Sequence, residues 1–389
     1  MTASAILLVL AILFLGLAAH PFVLYPVSLR LIARRRAAAP DAAAAGPVQA
    51  SRKFALCVSA YNEAACIERK VENMLELRQA VGELDILIYV DGASDRTAEL
   101  LRPYEDRITL VVSPERRGKT YGMNLLVSRT SADVIVFTDA NVRMDPGSIA
   151  AMDRRFADPT VGCVCGHLVY TNGAETATAE VGSLYWRLEE AIKRHESSMG
   201  AVMGADGSLF AIRRSLHRAV PPNLIDDMFV SLGILCDGLK VVTAPDALAY
   251  EASVTSSTEE FRRKVRIACQ AFNVHRELWP RLKRLPPVVV YMYVSHKLLR
   301  WVAAFNLGLS AVLGSAGLLA MGVPVVALAL LIVLSVSALW AALRFQLRPL
   351  SSIAEILVAL AGASLGVIHS LRGRQFQTWT PASSIRQSN

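Results

Sequence analysis

Apolar residues crowd the two ends of the chain and alternate with polar ones through its middle. Residues 3–32 carry no charge before Arg30, and His20, Pro21 and Pro26 interrupt them, which predicts a kinked apolar helix. Three more apolar segments follow at about 298–321, 323–343 and 353–371. Each is close to the roughly 20 residues that a helix needs to cross about 30 Å of hydrocarbon. Residues 37–50, with Pro40, Gly46 and Pro47, read as a linker, and roughly 51–280 has the composition and length of one large globular domain.

Within that domain, short runs rich in β-branched residues alternate with amphipathic stretches. Strands are predicted at 54–59, 85–90, 108–112 and 134–138, with helices at 63–78, up to 101, and 118–129. This alternation predicts a doubly wound α/β sheet with parallel strands. The later half is less regular, with strands at 161–169, 209–212, 240–243 and 247–250 and helices at 179–197 and 224–236. Residues 259–285 are basic with an apolar stripe at Phe261, Val265, Ala268 and Phe272, which predicts an amphipathic helix at a membrane surface, broken near Pro280.

Three predicted strands run straight into polar groups: Ala60-Tyr61-Asn62-Glu63, the stretch from Asp91 to Asp95, and Asp139-Ala140-Asn141. In open α/β sheets the ligand crevice lies beyond the carboxyl ends of the strands, so all three would face one crevice. Asp139 and Asn141 offer one anionic and one neutral oxygen, suited to a hard cation shared with substrate phosphates. The alternative is that Asp139 caps a helix starting near Gly147 or closes a turn. Asp226 and Asp227 open the helix at 224–236, where acidic residues also suit the helix dipole.

Charge narrows the partners. The chain has 389 residues, 53% hydrophobic, and a net charge of +8. Basic clusters lie beside the apolar segments, at Arg34, Arg35 and Arg36, at Arg262, Arg263 and Lys264, at 281–284, and at Arg344 and Arg348. Such clusters suit an anionic cytoplasmic leaflet, and no nucleic-acid reader motif accompanies them. The first apolar segment lacks the preceding basic residues of a signal peptide. Its arginines follow it, so its start is expected outside and the globular domain in the cytoplasm. Three further spans would then leave the tail outside, yet Arg372 and Arg374 at its start belong inside. Either that rule is broken or one segment is re-entrant or interfacial. Six scattered cysteines are expected as reduced thiols, and the lone pair Cys163 and Cys165 has no second pair to make a zinc site.

Ser59 to Glu63, Val90 to Asp95, Gly118-Lys119, Thr138 to Asn141, Gly204 to Gly207 before Arg213-Arg214, and Asp226-Asp227 together resemble family 2 glycosyltransferases of the GT-A fold. The resemblance covers about 54–270, and the flanking spans resemble the membrane-bound bacterial members that build polysaccharides. It implies a Rossmann-like GT-A domain at 51–258, an anchor at 1–36, interfacial helices at 259–297, about three spans at 298–371 and a tail at 372–389. By the resemblance, Ala60, Tyr61, Glu63 and Asp91 contact the uridine of a nucleotide-sugar donor, and Asp95 lies nearer the sugar-phosphate or caps the next helix. Lys119 and Asp206 join the donor site, and Asp139, Ala140 and Asn141 match the metal motif, with Asn141 in place of its second Asp. A divalent metal, Mg or Mn, would sit there. Asp227 would be the general base and Asp226 its neighbour. Arg263 and Arg266 fall on the Gln-x-x-Arg-Trp signature of processive members, but Gln and Trp are absent, which favours few additions per acceptor. The implied function is inverting transfer of a sugar, from a UDP-sugar by family habit, to a lipid-linked (polyprenyl) or growing glycan acceptor at the bacterial inner membrane. A non-catalytic nucleotide-sugar- or glycan-binding subunit of a synthase complex is the rival reading. A dinucleotide-dependent oxidoreductase would need a Gly-x-Gly-x-x-Gly after the first strand, where Ala60-Tyr61-Asn62-Glu63 stands.

Overall fold

A computed structural model of the chain describes residues 2–36, 52–172, 177–345, 347 and 350–378. The linker expected at 37–50 and the basic residue Arg348 lie outside the described residues. The elements run α1 (Ala3–Ala19), α2 (Leu24–Arg36), β1 (Phe54–Ala60), α3 (Ile67–Val81), β2 (Leu84–Asp91), α4 (Thr97–Leu101), β3 (Thr109–Ser113), α5 (Lys119–Ser128), β4 (Val134–Asp139), β5 (Arg143–Met144), α6 (Ser148–Arg155), β6 (Val161–Tyr170), α7 (Ala177–Ser197), β7 (Leu209–Arg213), α8 (Asp226–Cys236) and β8 (Lys240–Glu251). Then follow α9 (Ser257–Leu282), α10 (Pro287–Tyr293), a π-helical turn at Val294–Leu298, α11 (Leu299–Trp301), α12 (Ala303–Ala320), α13 (Val325–Phe345) and α14 (Leu350–Leu371).

The strands form one eight-stranded sheet in the order β3-β2-β1-β4-β7-β6-β8-β5. β1, FALCVSA, is buried at every position, as a central strand covered by helices on both faces should be. Its parallel partners align Ala60 with Val90 and Ser59 with Asp139. The register therefore brings the ends of β1, β2 and β4 to one edge. The sheet is not parallel throughout: β7 runs antiparallel to β4 and β6, and β5 antiparallel to β8. The antiparallel start of β7 pairs Leu209 with Thr138, so the loop before it arrives at that same edge. The two strands expected at 240–243 and 247–250 are one, β8, whose pairing with β6 shifts register on the way. α3 begins at Ile67 rather than near Glu63, because Asn62 takes a left-handed conformation (φ 53°) and the Glu63 amide donates to the Thr97 hydroxyl instead of entering a helix. α9 continues through Pro280 to Leu282 instead of breaking there.

The apolar ends pack as helix pairs. α12, α13 and α14 are each long and apolar enough to cross a membrane, and α1 with α2 qualifies as a pair bent by 61°. α1 and α12 are antiparallel: Gly317 faces Leu8, Gly314 faces Ala11, and the Ser310 hydroxyl donates to the Ala11 carbonyl at 2.8 Å. α14 runs parallel to α9, with Gly362 against Phe261, Gly366 against Ala268, and the Ser370 hydroxyl donating to Asn273 Oδ1 at 2.6 Å. A buried polar network ties the N-terminal pair to the domain. His296 on the π-turn reaches Glu196 (2.6 Å) and Glu189 (2.8 Å) of α7, and Tyr25 of α2 donates to Glu196 at 2.5 Å.

Candidate active site

The end of β2 organises the loop that leads into α5. Asp91 is fully buried, and its carboxylate accepts the backbone N–H groups of Arg117 (2.7 Å) and Gly118 (3.0 Å). Gly118 has φ +91°, a conformation that disfavours any side chain. Asp91 thus shapes the wall of the crevice, its carboxylate holding the loop into α5 through protein amides. Asp95 is likewise engaged locally, accepting from Thr97 and from the Ala64 amide at 3.1 Å, which ties β1's loop to α4's start. Glu63, also buried, receives the Cys66 thiol at 3.3 Å, and its own amide donates to the Thr97 hydroxyl at 2.8 Å. Between these loops the Arg116 guanidinium lies 3.5 Å from the centre of the Tyr61 ring, an aromatic–cation platform beside Ala60. Arg116 was not foreseen, because a lone arginine in a polar loop carries no pattern.

The second group of residues converges on Gly207. Lys119, the first residue of α5, donates from Nζ to Asp139 Oδ1 at 2.7 Å and lies 4.0 Å from Asp226 Oδ2. A Cβ on Gly207 would stand 3.0 Å from Asp227 Oδ2 and 3.2 Å from Lys119 Nζ. So Asp139 from β4, Lys119 from α5 and the Asp226-Asp227 pair from α8 share one small space, left open by a glycine. Asp206 in the same loop closes it locally, accepting Ser208 N–H at 2.9 Å. Burial, followed by the charge of Asp226, pushes the Asp227 carboxyl up to about 8, with Lys119 opposing. Burial disfavours the Lys119 ammonium, but Asp139, Asp226 and Asp227 outweigh it and hold the lysine charged. Lys119 thus faces carboxylates rather than open solvent.

A third group lies on the far side of Asp139. Asn141 donates from Nδ2 to Glu251 Oε1 at 2.8 Å. Burial raises Glu251 to about 7, Asp139 adds to the rise, and Arg263 opposes it. Arg263 also pairs with Glu260 at 3.4 Å, and Arg266 donates to Gln270 Oε1 at 3.5 Å. Burial and the neighbouring Arg263 lower Arg266 to about 10, while Asp139 and Asp227 pull the other way. Ala140 is buried beneath the strand end. Residues 374–378 run back along α9, where Gln270 donates to the Phe376 carbonyl at 2.8 Å, and a Cβ on Gly118 would meet the Gln377 carbonyl. Glu251 and this strap were not foreseen; Glu251 ends the last strand, so the strand-end rule extended to β8 would have found it.

Among the described residues no three His, Cys, Asp or Glu side chains form a ready-made metal cage. The donor set nevertheless fits a cation held partly by phosphates: Asp226 Oδ2 is buried with no hydrogen-bond partner, and an ammonium already sits between it and Asp139.

The fold has known counterparts. The fold superposes on the mannosyltransferase PcManGT from Pyrobaculum calidifontis, solved in complex with GDP-Man and Mn2+, with a TM-score of 0.71 and 23% identity, over 95% of this chain and 100% of that one. The mixed sheet with its polar strand-end crevice is the GT-A fold. Residues 55–220 match the model of the family described as Glycosyl transferase family 2. An N-acetylglucosaminyltransferase of Rhizobium meliloti is 24% identical over 255 residues, covering 61% of this chain and 59% of that protein. A poly-beta-1,6-N-acetyl-D-glucosamine synthase of Staphylococcus aureus is 28% identical over 200 residues, covering 50% of this chain and 48% of that one. The chain thus spans about half the length of the curated relatives it matches.

Proposed function

We propose that the chain is a membrane-bound, inverting glycosyltransferase that moves a sugar, N-acetylglucosamine or a related hexose, from a nucleotide diphosphate to a lipid-linked or growing glycan acceptor. The carrying observation is the convergence of Asp139, Lys119, Asp226 and Asp227 around Gly207. A UDP-sugar is the proposed donor, its base near the Tyr61–Arg116 platform. Asp227 is the base: it takes the acceptor hydroxyl's proton while that oxygen bonds to the anomeric carbon and the carbon's bond to the diphosphate breaks. Displacement from the opposite face inverts the anomeric centre. A carboxyl with a raised pKa is suited to accept a proton near neutral pH. Asp226 keeps Asp227's affinity for that proton high. Asp139 and Asn141 hold a divalent metal, Mg or Mn, which when bound neutralises charge on the leaving diphosphate. Lys119, Arg263 and Arg266 supply further positive charge around the phosphates.

The same reading gives the chain three membrane crossings, α1, α12 and α13, with α14 interfacial. The parallel pairing of α14 with α9, and the contact of residue 377 with Gly118, support a tail on the side of the catalytic domain. Arg372 and Arg374 then lie inside, as the positive-inside rule requires.

The test is to incubate purified full-length protein with UDP-GlcNAc, UDP-glucose and GDP-mannose, each with Mg2+ or Mn2+, and to measure nucleotide diphosphate release. Release from one donor, dependent on the metal, is the expected result. No release from any of them, with or without a glycan acceptor, would contradict the reading.

A further inference from the structure

Asn141 leaves the strand-end pair one carboxylate short, and the sheet brings a replacement from elsewhere. After β4 the chain crosses to the far edge of the sheet, where β5 pairs Arg143 with Tyr250 and Met144 with Ala249. Continued by one pair, that register sets Val142 opposite Glu251, the last residue of β8, and brings the neighbouring Asn141 within reach of its side chain. The Asn141 amide donates its N–H2 to Glu251, which turns its carbonyl oxygen away from that carboxyl. The hydrogen bond is 2.8 Å and fixes Glu251 Oε1; among the described residues Oε2 makes no hydrogen bond. Asp139 and Asp206 are near enough to act electrostatically on Glu251, and Arg263 opposes them. The unpartnered Asp226 Oδ2 marks the same crevice, across Lys119.

We propose that Glu251 is the second carboxylate of the divalent-cation site, acting with Asp139 and oriented by Asn141. This rests on the transferase reading above and deepens it. Two carboxylates from β4 and β8 then flank the position of the donor's diphosphate. The pair that related motifs place two residues apart on one strand is here divided between two strands. Asn141, whose amide N–H2 locks Glu251, gains a positioning role beside its own carbonyl oxygen at the metal, and the site regains the anionic charge that a divalent ion needs.

The experiment measures Mn2+ binding directly, by the electron paramagnetic resonance signal of free Mn2+, on the full-length protein with UDP as diphosphate probe. Glu251→Gln is expected to weaken Mn2+ binding at least tenfold while leaving UDP binding without metal unchanged. Adding Asn141→Asp to that variant is expected to restore binding to within about threefold, by returning a carboxylate to the β4 end. Unchanged Mn2+ affinity in Glu251→Gln would overturn the proposal. So would a donor KM that rises with Mn2+ binding intact, which would make Glu251 a sugar contact. Should the glutamine variant not fold, Glu251→Asp, which withdraws the same charge by one methylene, is expected to weaken binding at least threefold; no change would overturn it equally. Asp139→Asn separates the two readings. If it abolishes Mn2+ binding while Glu251→Gln does not, only Glu251 is misassigned. If neither matters, the metal site itself is wrong.

Discussion

Asp227 carries two opposed demands. In the folded chain its carboxyl ionises near pH 8, raised from 3.8 by burial and by Asp226. A base must be ionised to act, so kcat is predicted to fall about tenfold per pH unit below that value. A profile flat down to pH 5 would remove Asp227 from the role. Folding carries the opposite sign. A carboxyl whose pKa rises on folding costs stability above its unfolded pKa, and the full cost is present above about pH 8. Asp227→Asn is therefore predicted to abolish transfer yet to raise Tm by a few degrees at about pH 8.5, with little change near pH 4. Gly207 makes a second residue-scale prediction. A methyl there would push on Asp227 Oδ2 and Lys119 Nζ at 3.0 and 3.2 Å. Gly207→Ala should lower kcat about 10²-fold while the protein stays folded, measured as diphosphate release beside a melting curve.

At the scale of elements, the sequence was readable where chemistry is local. The strands that end in Ala60, Asp91 and Asp139 announce themselves by an apolar run followed by polar residues, and the register aligns them as the strand-end rule requires. Asp226 and Asp227 were visible as an acidic helix start. What was not legible depends on pairing across the sheet. Glu251 gains its place only because β5 crosses to β8, and local pattern ended that strand one residue short of it. That Asp91 also holds the amides of Arg117 and Gly118 leaves no trace in composition. Hydropathy alone does not separate an apolar face packed on protein from one facing lipid, and the proposed interfacial placement of α14 rests on that distinction. Its glycines disclose the difference. A side chain at Gly366 would meet Ala268 Cβ at 2.6 Å and the Val265 carbonyl at 2.6 Å, whereas Gly308 on α12 has nothing within 4 Å. Gly366→Leu is predicted to destabilise the protein by about 1–3 kcal/mol and Gly308→Leu to leave its Tm unchanged.

For the whole molecule, the proposed reading couples catalysis to the membrane. α9 lies between the domain and α14, and residues 374–378 return along it to Gly118, beside the loop held by Asp91. Three crossings, with the tail on the catalytic side, predict that a cysteine at Gln375 is reached by a membrane-impermeant maleimide only after permeabilisation. Cys236, which alone among the six native cysteines is not buried, would be replaced first. Labelling in intact cells would instead require α14 to cross.

The most direct test of the central claim, that carboxylates from β4 and α8 serve one sugar, compares the native protein with Asp139→Ala and Asp227→Asn in metal-dependent transfer from the donor identified by the panel. Both variants should retain the native melting profile in outline and lose at least about 10³-fold in rate. Full activity in either one would contradict the account.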